Sequence, residues 1–108
     1  MGYGCKGWLY LYMLSIDIFE KKLDELKPVL KEKYHVVKIG YFGSYARGTA
    51  DENSDLDILV EFSKPLSWDF FDLQDLLETN LHVKIELVSI KALKSQLKEI
   101  ILNEVKYV

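Results

Sequence analysis

The apolar positions of this chain fall into six stretches, each with its own period. Ile16, Phe19, Leu23, Leu26 and Leu30 recur at steps of three and four, which is one face of a helix. Ser15 can cap that helix, which is expected to run to about Tyr34. Pro28 has no amide to donate, so a kink or interruption is expected there. Val36 to Phe42 is short and β-rich and predicts a strand. Gly43 to Gly48 predicts a turn with room for one helical turn, and Thr49 to Ser54 a polar loop. From Asp55 to Phe62 the period is two: Leu56, Ile58, Val60 and Phe62 alternate with Asp55, Asp57, Leu59 and Glu61, which predicts a second strand. Ser63 to Pro65 breaks that pattern. Ser67 can cap a helix to about Thr79, with Trp68, Phe71, Leu73, Leu76 and Leu77 as its apolar side. Val83 to Ser89 predicts a third strand, with Glu86 opposite in phase to Val83, Ile85 and Leu87. Ile90 to Tyr107 reads as a last helix through Leu93, Leu97, Ile100, Ile101 and Val105. The expected fold class is α/β, or α+β: a small mixed β-sheet with helices packed mostly on one side.

Composition narrows the function. The 108 residues, 49% of them apolar, suit one domain with a real core. A net charge of -3 argues against a broad electrostatic grip on nucleic acid, so no direct nucleic-acid binding is expected. Cys5 is the only cysteine, which excludes an internal disulfide and suits a reducing, cytoplasmic setting. His35 and His82 form no zinc-ligand spacing and read as a strand-edge and a loop residue. The apolar run Trp8–Leu14 is too short to span a bilayer, and no small-residue cleavage site follows it. Residues 1–14 are therefore expected to be an arm, non-native or disordered, ahead of a single domain at 15–108. An alternative is that Trp8, Tyr10 and Tyr12 form a contact surface.

The chemistry concentrates between Tyr41 and Phe62. On a strand, Asp55 and Asp57 would project from one face about 7 Å apart. Two carboxylates that close repel unless a cation sits between them. Magnesium suits such a pair, because it takes carboxylate, phosphate and water oxygens. Taken alone, the two aspartates read more readily as an ordinary exposed strand face. The turn ahead of them changes the balance. Gly43 and Gly48 let backbone amides approach a phosphate, Ser44 adds a hydroxyl, and Arg47, the only arginine in the chain, adds a planar fork. The turn has the G-x-x-x-x-G spacing of a P-loop, but Thr49 and Ala50 stand where that loop needs Lys and Ser/Thr. A phosphate loop of this kind must work with a metal held by separate carboxylates.

GSYARG at 43–48 followed by SDLD at 54–57 resembles the signature of the DNA polymerase β-like nucleotidyltransferase superfamily, and most closely its minimal branch, the MNT antitoxins. The resemblance covers about Ser15 to Tyr107. It implies that Gly43 and Ser44 bind the terminal phosphates of ATP, with Arg47 steadying the triphosphate or pairing with a carboxylate. It implies that Asp55 and Asp57 hold two Mg2+ ions, with a third carboxylate on the next strand. Glu86 occupies that place, in KIELV, where the family typically carries aspartate. Asp55, Asp57 and Glu86 are thus the expected catalytic and metal-binding residues. The resemblance further implies a HEPN toxin as partner, silenced by transfer of AMP to one of its tyrosines. Two other functions stay open: neutralisation of the toxin by binding alone, and transfer to a small molecule. The sequence leaves self-association undecided.

Overall fold

The first apolar period does form a helix. In the computed structural model, which describes residues 3–51 and 53–108 and side chains from residue 17 onward, α1 spans Tyr3–Tyr34. It begins well ahead of Ser15, which lies inside it rather than capping it. Residues 1 and 2 and the side chains of 3–16 lie outside the described residues; the backbone of 3–14, within the expected arm, is the start of α1. Pro28 stands within α1, which continues past it as one element. Proline removes one amide from the ladder, and the packing of Leu23 and Leu30 on either side, both fully buried, offsets that loss. His35 ends the helix with a positive φ of 57°, and His82 ends a later one at 56°. Both histidines therefore serve as left-handed helix stops.

The strand β1 (Val36–Phe42) leads through a four-residue helix, α2 (Ser44–Arg47), to β2 (Leu56–Phe62), which runs antiparallel to β1. A parallel partner cannot follow by a tight turn, and α3 (Asp69–Leu81) supplies the crossover to β3 (Ile85–Ser89), parallel to β2. The faces of α1 and α3 that carry Leu23, Leu30, Leu73 and Leu77 close over the sheet face that carries Ile39, Ile58, Val60 and Ile85. Each fully buried leucine there contributes about 2 kcal/mol. The buried stripe of α3 is Leu73, Leu77 and Leu81. Trp68 and Phe71, expected on that stripe, are 82% and 64% exposed. Helix α3 starts at Asp69, one residue later than a Ser67 cap implies, so Trp68 precedes it, and Phe71 lies about 200° around the helix from the buried Leu73.

The last stretch departs most from its sequence pattern. A tight helical turn at Ile90–Ala92 precedes α4 (Ser95–Glu104), and the chain then becomes extended and forms β4 (Lys106–Tyr107). Strand β4 lies against β1, with Gly40 opposite Tyr107 and Tyr41 opposite Lys106. The Val108 amide donates to the Ile39 carbonyl at 3.0 Å. The sheet order is β3-β2-β1-β4. Glycine at 40 makes this possible: a Cβ there would meet the Lys106 carbonyl oxygen at 2.7 Å and Val105 Cγ2 at 2.9 Å. The free hydrogen-bonding edge of β1 thus overrides a local helical period at 105–107.

Gly40→Ala is expected to push β4 off β1. The measured outcomes should be a loss of about 1–3 kcal/mol in urea unfolding and faster hydrogen exchange at the Val108 amide.

Candidate active site

Three strands place the chemistry in one row. Phe42 lies opposite Asp57, and Asp57 lies opposite Glu86 on the far side. The row sits where β1 ends and β2 and β3 begin, so the residue after Phe42, Gly43, comes down beside it. Gly43 has φ 73° and ψ -148°, a conformation L side chains rarely adopt. A Cβ built on Gly43 would collide with Oδ2 of Asp57. The glycine is needed twice over, for its backbone angles and for the close approach of the loop to the carboxylate. Helix α2 then turns back at once: the Arg47 amide donates to the Gly43 carbonyl at 3.0 Å, and Gly48 closes the turn with φ 77° and its amide on the Ser44 carbonyl. Ser44 opens α2, so its amide has no partner within that helix.

Asp55 stands one residue ahead of β2 rather than inside it. The loop before it is tightened by Asp51, whose carboxylate accepts from the Asn53 amide at 2.9 Å and the Ser54 hydroxyl at 3.1 Å. Pairing on the β3 side begins at Leu56, whose amide donates to the Lys84 carbonyl at 2.9 Å. The expected strand face of Asp55, Asp57 and Glu86 is therefore realised as a register pair, Asp57 with Glu86, and a carboxylate at the strand's entrance.

The pair has an electrostatic consequence. Burial pushes the Asp57 carboxyl up from 3.8 to about 6; Glu86 adds to the rise by its charge and by a hydrogen bond, Asp55 adds less, and Arg47 partly offsets them. Among the described residues, no three His, Cys, Asp or Glu side chains gather into a ready-made metal cluster. Mg2+ does not require one, since it is commonly held by one or two carboxylates with the substrate's phosphates completing its shell. Two crowded carboxylates, one with a raised proton affinity, form a donor set that a hard dication fits. A cavity of about 410 Å3 elsewhere, between Lys27, Lys31, Lys38 and Tyr107, contains none of these residues.

Arg47 supplies a contact that no sequence spacing announced. Its Nη1 donates to Oε1 of Glu104, at the end of α4, at 2.8 Å. The two residues are 57 positions apart, so only the folded chain brings them together.

The nucleotidyltransferase domain model matches residues 23–108. The chain belongs to the nucleotidyltransferase domain family. Within it, protein adenylyltransferase MntA of Thermococcus cleftensis is 42% identical over 97 residues, covering 89% of this chain and 98% of the relative. A candidate protein adenylyltransferase of Methanocaldococcus jannaschii is 46% identical over 78 residues, 71% of this chain and 91% of its own length. Among solved structures, one described as a candidate minimal nucleotidyltransferase superposes with a TM-score of 0.71 at 33% identity, covering 88% of this chain and 93% of that one. A toxin–antitoxin crystallised with AMP-PNP gives 0.69 at 28% identity, covering 82% and 70%. The minimal branch expected from GSYARG and SDLD is thus the right one, and the enzyme class is nucleotidyltransferase.

The raised carboxyl makes a stability prediction. Between about pH 4 and pH 6 the folded protein holds more protons at Asp57 than the unfolded chain does, so this group's contribution to stability falls as pH rises through that window. In metal-free buffer, Asp57→Asn should remove that contribution. Its melting temperature should gain on the wild type as pH rises from 4 to 7, in thermal scans at each pH.

Proposed function

We propose that this protein is an Mg2+-dependent adenylyltransferase that moves AMP from ATP to a tyrosine of a HEPN toxin, and so acts as the antitoxin of the pair. The observation that carries the proposal is the contact of Gly43 with Asp57, whose strand partner is Glu86. It joins a phosphate-binding loop to a dication-binding pair in one place, as transfer from a triphosphate requires. The related protein adenylyltransferases and the toxin–antitoxin neighbour with AMP-PNP support the choice of ATP and of a protein acceptor.

In this reading the Ser44 hydroxyl and the amides around Gly43 hold the outer phosphates, and the Arg47 guanidinium donates to them. Asp57 and Glu86, with Asp55 at the entrance, would hold the Mg2+ ions. Bound there, Mg2+ offsets charge on the triphosphate and on the departing pyrophosphate. The acceptor tyrosine oxygen forms a bond to the α-phosphorus while the bond from that phosphorus to the β-phosphate oxygen breaks. Asp57 or Glu86 takes the phenolic proton. Positioning and charge complementarity then do most of the catalytic work, since no enzyme-bound covalent intermediate is needed.

A second reading, neutralisation by binding alone, draws on one observation: Glu86 is exposed and stands in place of the family's aspartate, in a site without a preassembled three-residue cluster.

Incubation with labelled ATP, Mg2+ and a HEPN partner separates the two. Label should appear on the partner, and Asp57→Asn should lower the rate on the order of 100-fold while the protein stays folded. Tight binding with no label would leave neutralisation by binding. A further variant tests the third carboxylate: Glu86→Ala should cut transfer sharply and Glu86→Asp should preserve it, and an unchanged rate in Glu86→Ala would remove Glu86 from the metal site.

A further inference from the structure

Arg47 and Glu104 form an ion pair whose geometry is tighter than its contribution to stability warrants. The contact is 2.8 Å, between side chains 56% and 19% exposed. A pair with one partner in open solvent contributes little to stability. Its effect is geometric. Glu104 is the more shielded partner and closes α4, and the segment after it is tied to β1 by the β4 ladder and by the Val108 amide on Ile39. Arg47 sits on the four-residue α2, four positions after Gly43, and is mostly solvated. Left alone, a long guanidinium side chain in solvent samples many rotamers and loses that freedom when it grips a ligand. Held by Glu104 through Nη1, it keeps Nε and Nη2 for a phosphate, because a guanidinium carries five donors and one carboxylate oxygen takes only part of the fork. The other fixed cations of the chain are lysines, whose compact ammonium on a flexible stem offers no rigid planar fork.

We infer that Glu104 is a positioning residue: from the end of α4 it holds Arg47 over the phosphate loop, so that the free edge of the guanidinium is preset for the triphosphate. The inference rests on the reading of Arg47 as a triphosphate ligand. It makes the C-terminal segment, outside the signature motif, part of nucleotide binding.

Kinetics on five proteins test it: wild type, Glu104→Gln, Glu104→Asp, Arg47→Ala, and the double variant that joins Glu104→Gln to Arg47→Ala. Glu104→Gln should raise KM for ATP roughly five- to tenfold with a smaller change in kcat, and Glu104→Asp should fall between it and wild type. In the Arg47→Ala background the further change Glu104→Gln should have no effect, because Glu104 acts through Arg47. Equal melting temperatures among the five establish that folding is not the cause. If Arg47→Ala leaves KM unchanged, the reading of Arg47 as a phosphate ligand fails and the inference with it. If Arg47→Ala raises KM but Glu104→Gln does not, or if the two changes add in the double variant, Glu104 does not position Arg47 and only the inference is overturned. The transfer reading is tested separately, by label reaching the partner, and the role of Asp57 by Asp57→Asn, both independent of Arg47 and Glu104.

Discussion

The structure turns on the absence of a side chain at Gly43. Because nothing projects there, the loop that ends β1 rests directly on the carboxylate of Asp57. Everything else about the site follows from that approach. The loop can be this close only if β1 and β2 are neighbours, and Asp57 can face Glu86 only if β3 joins β2 in parallel through α3. The leucines of α1 and α3 carry no chemistry themselves, yet they pack against the sheet that makes the row.

The same approach sets the electrostatics. Asp57 is crowded by burial, by Glu86 and by Asp55, and Arg47 only partly relieves it. A carboxyl in that position destabilises the fold at neutral pH and gains from a cation. Half-buried and crowded by acidic neighbours, Asp57 is the kind of perturbed carboxyl that clusters at functional sites. Arg47, whose charge partly relieves Asp57, is itself paired with Glu104.

Much of the site was legible because its motif is local. GSYARG and SDLD lie within fifteen positions of each other, and turn chemistry and strand alternation operate over that range. Glu86 was legible too, by phase: it alternates with Ile85 and Leu87, which are buried, so it had to face away from the core. The placement of Asp55 was less so. Alternation put it in the strand, but the Asp51 turn and the first ladder bond at Leu56 leave it at the entrance. Trp68 and Phe71 misled for a related reason: apolar character suggested a core face, but Trp68 precedes α3 and Phe71 lies across the helix from the buried stripe of Leu73, Leu77 and Leu81.

What the sequence determined by itself is what short-range periods and local motifs encode: most helices and strands of the domain, the glycine turn after β1, and which carboxylates stand beside it. What only the tertiary structure decided depends on contacts between distant segments. Residues 105–107 follow a helical period, yet they become extended because β1 offers them a hydrogen-bonding edge and Gly40 leaves them room. Glu104 meets Arg47 only because that edge fixes where α4 ends. A period records how a segment would bury its own apolar face. It carries no record of which partner, brought in from far along the chain, will satisfy its backbone or its charge.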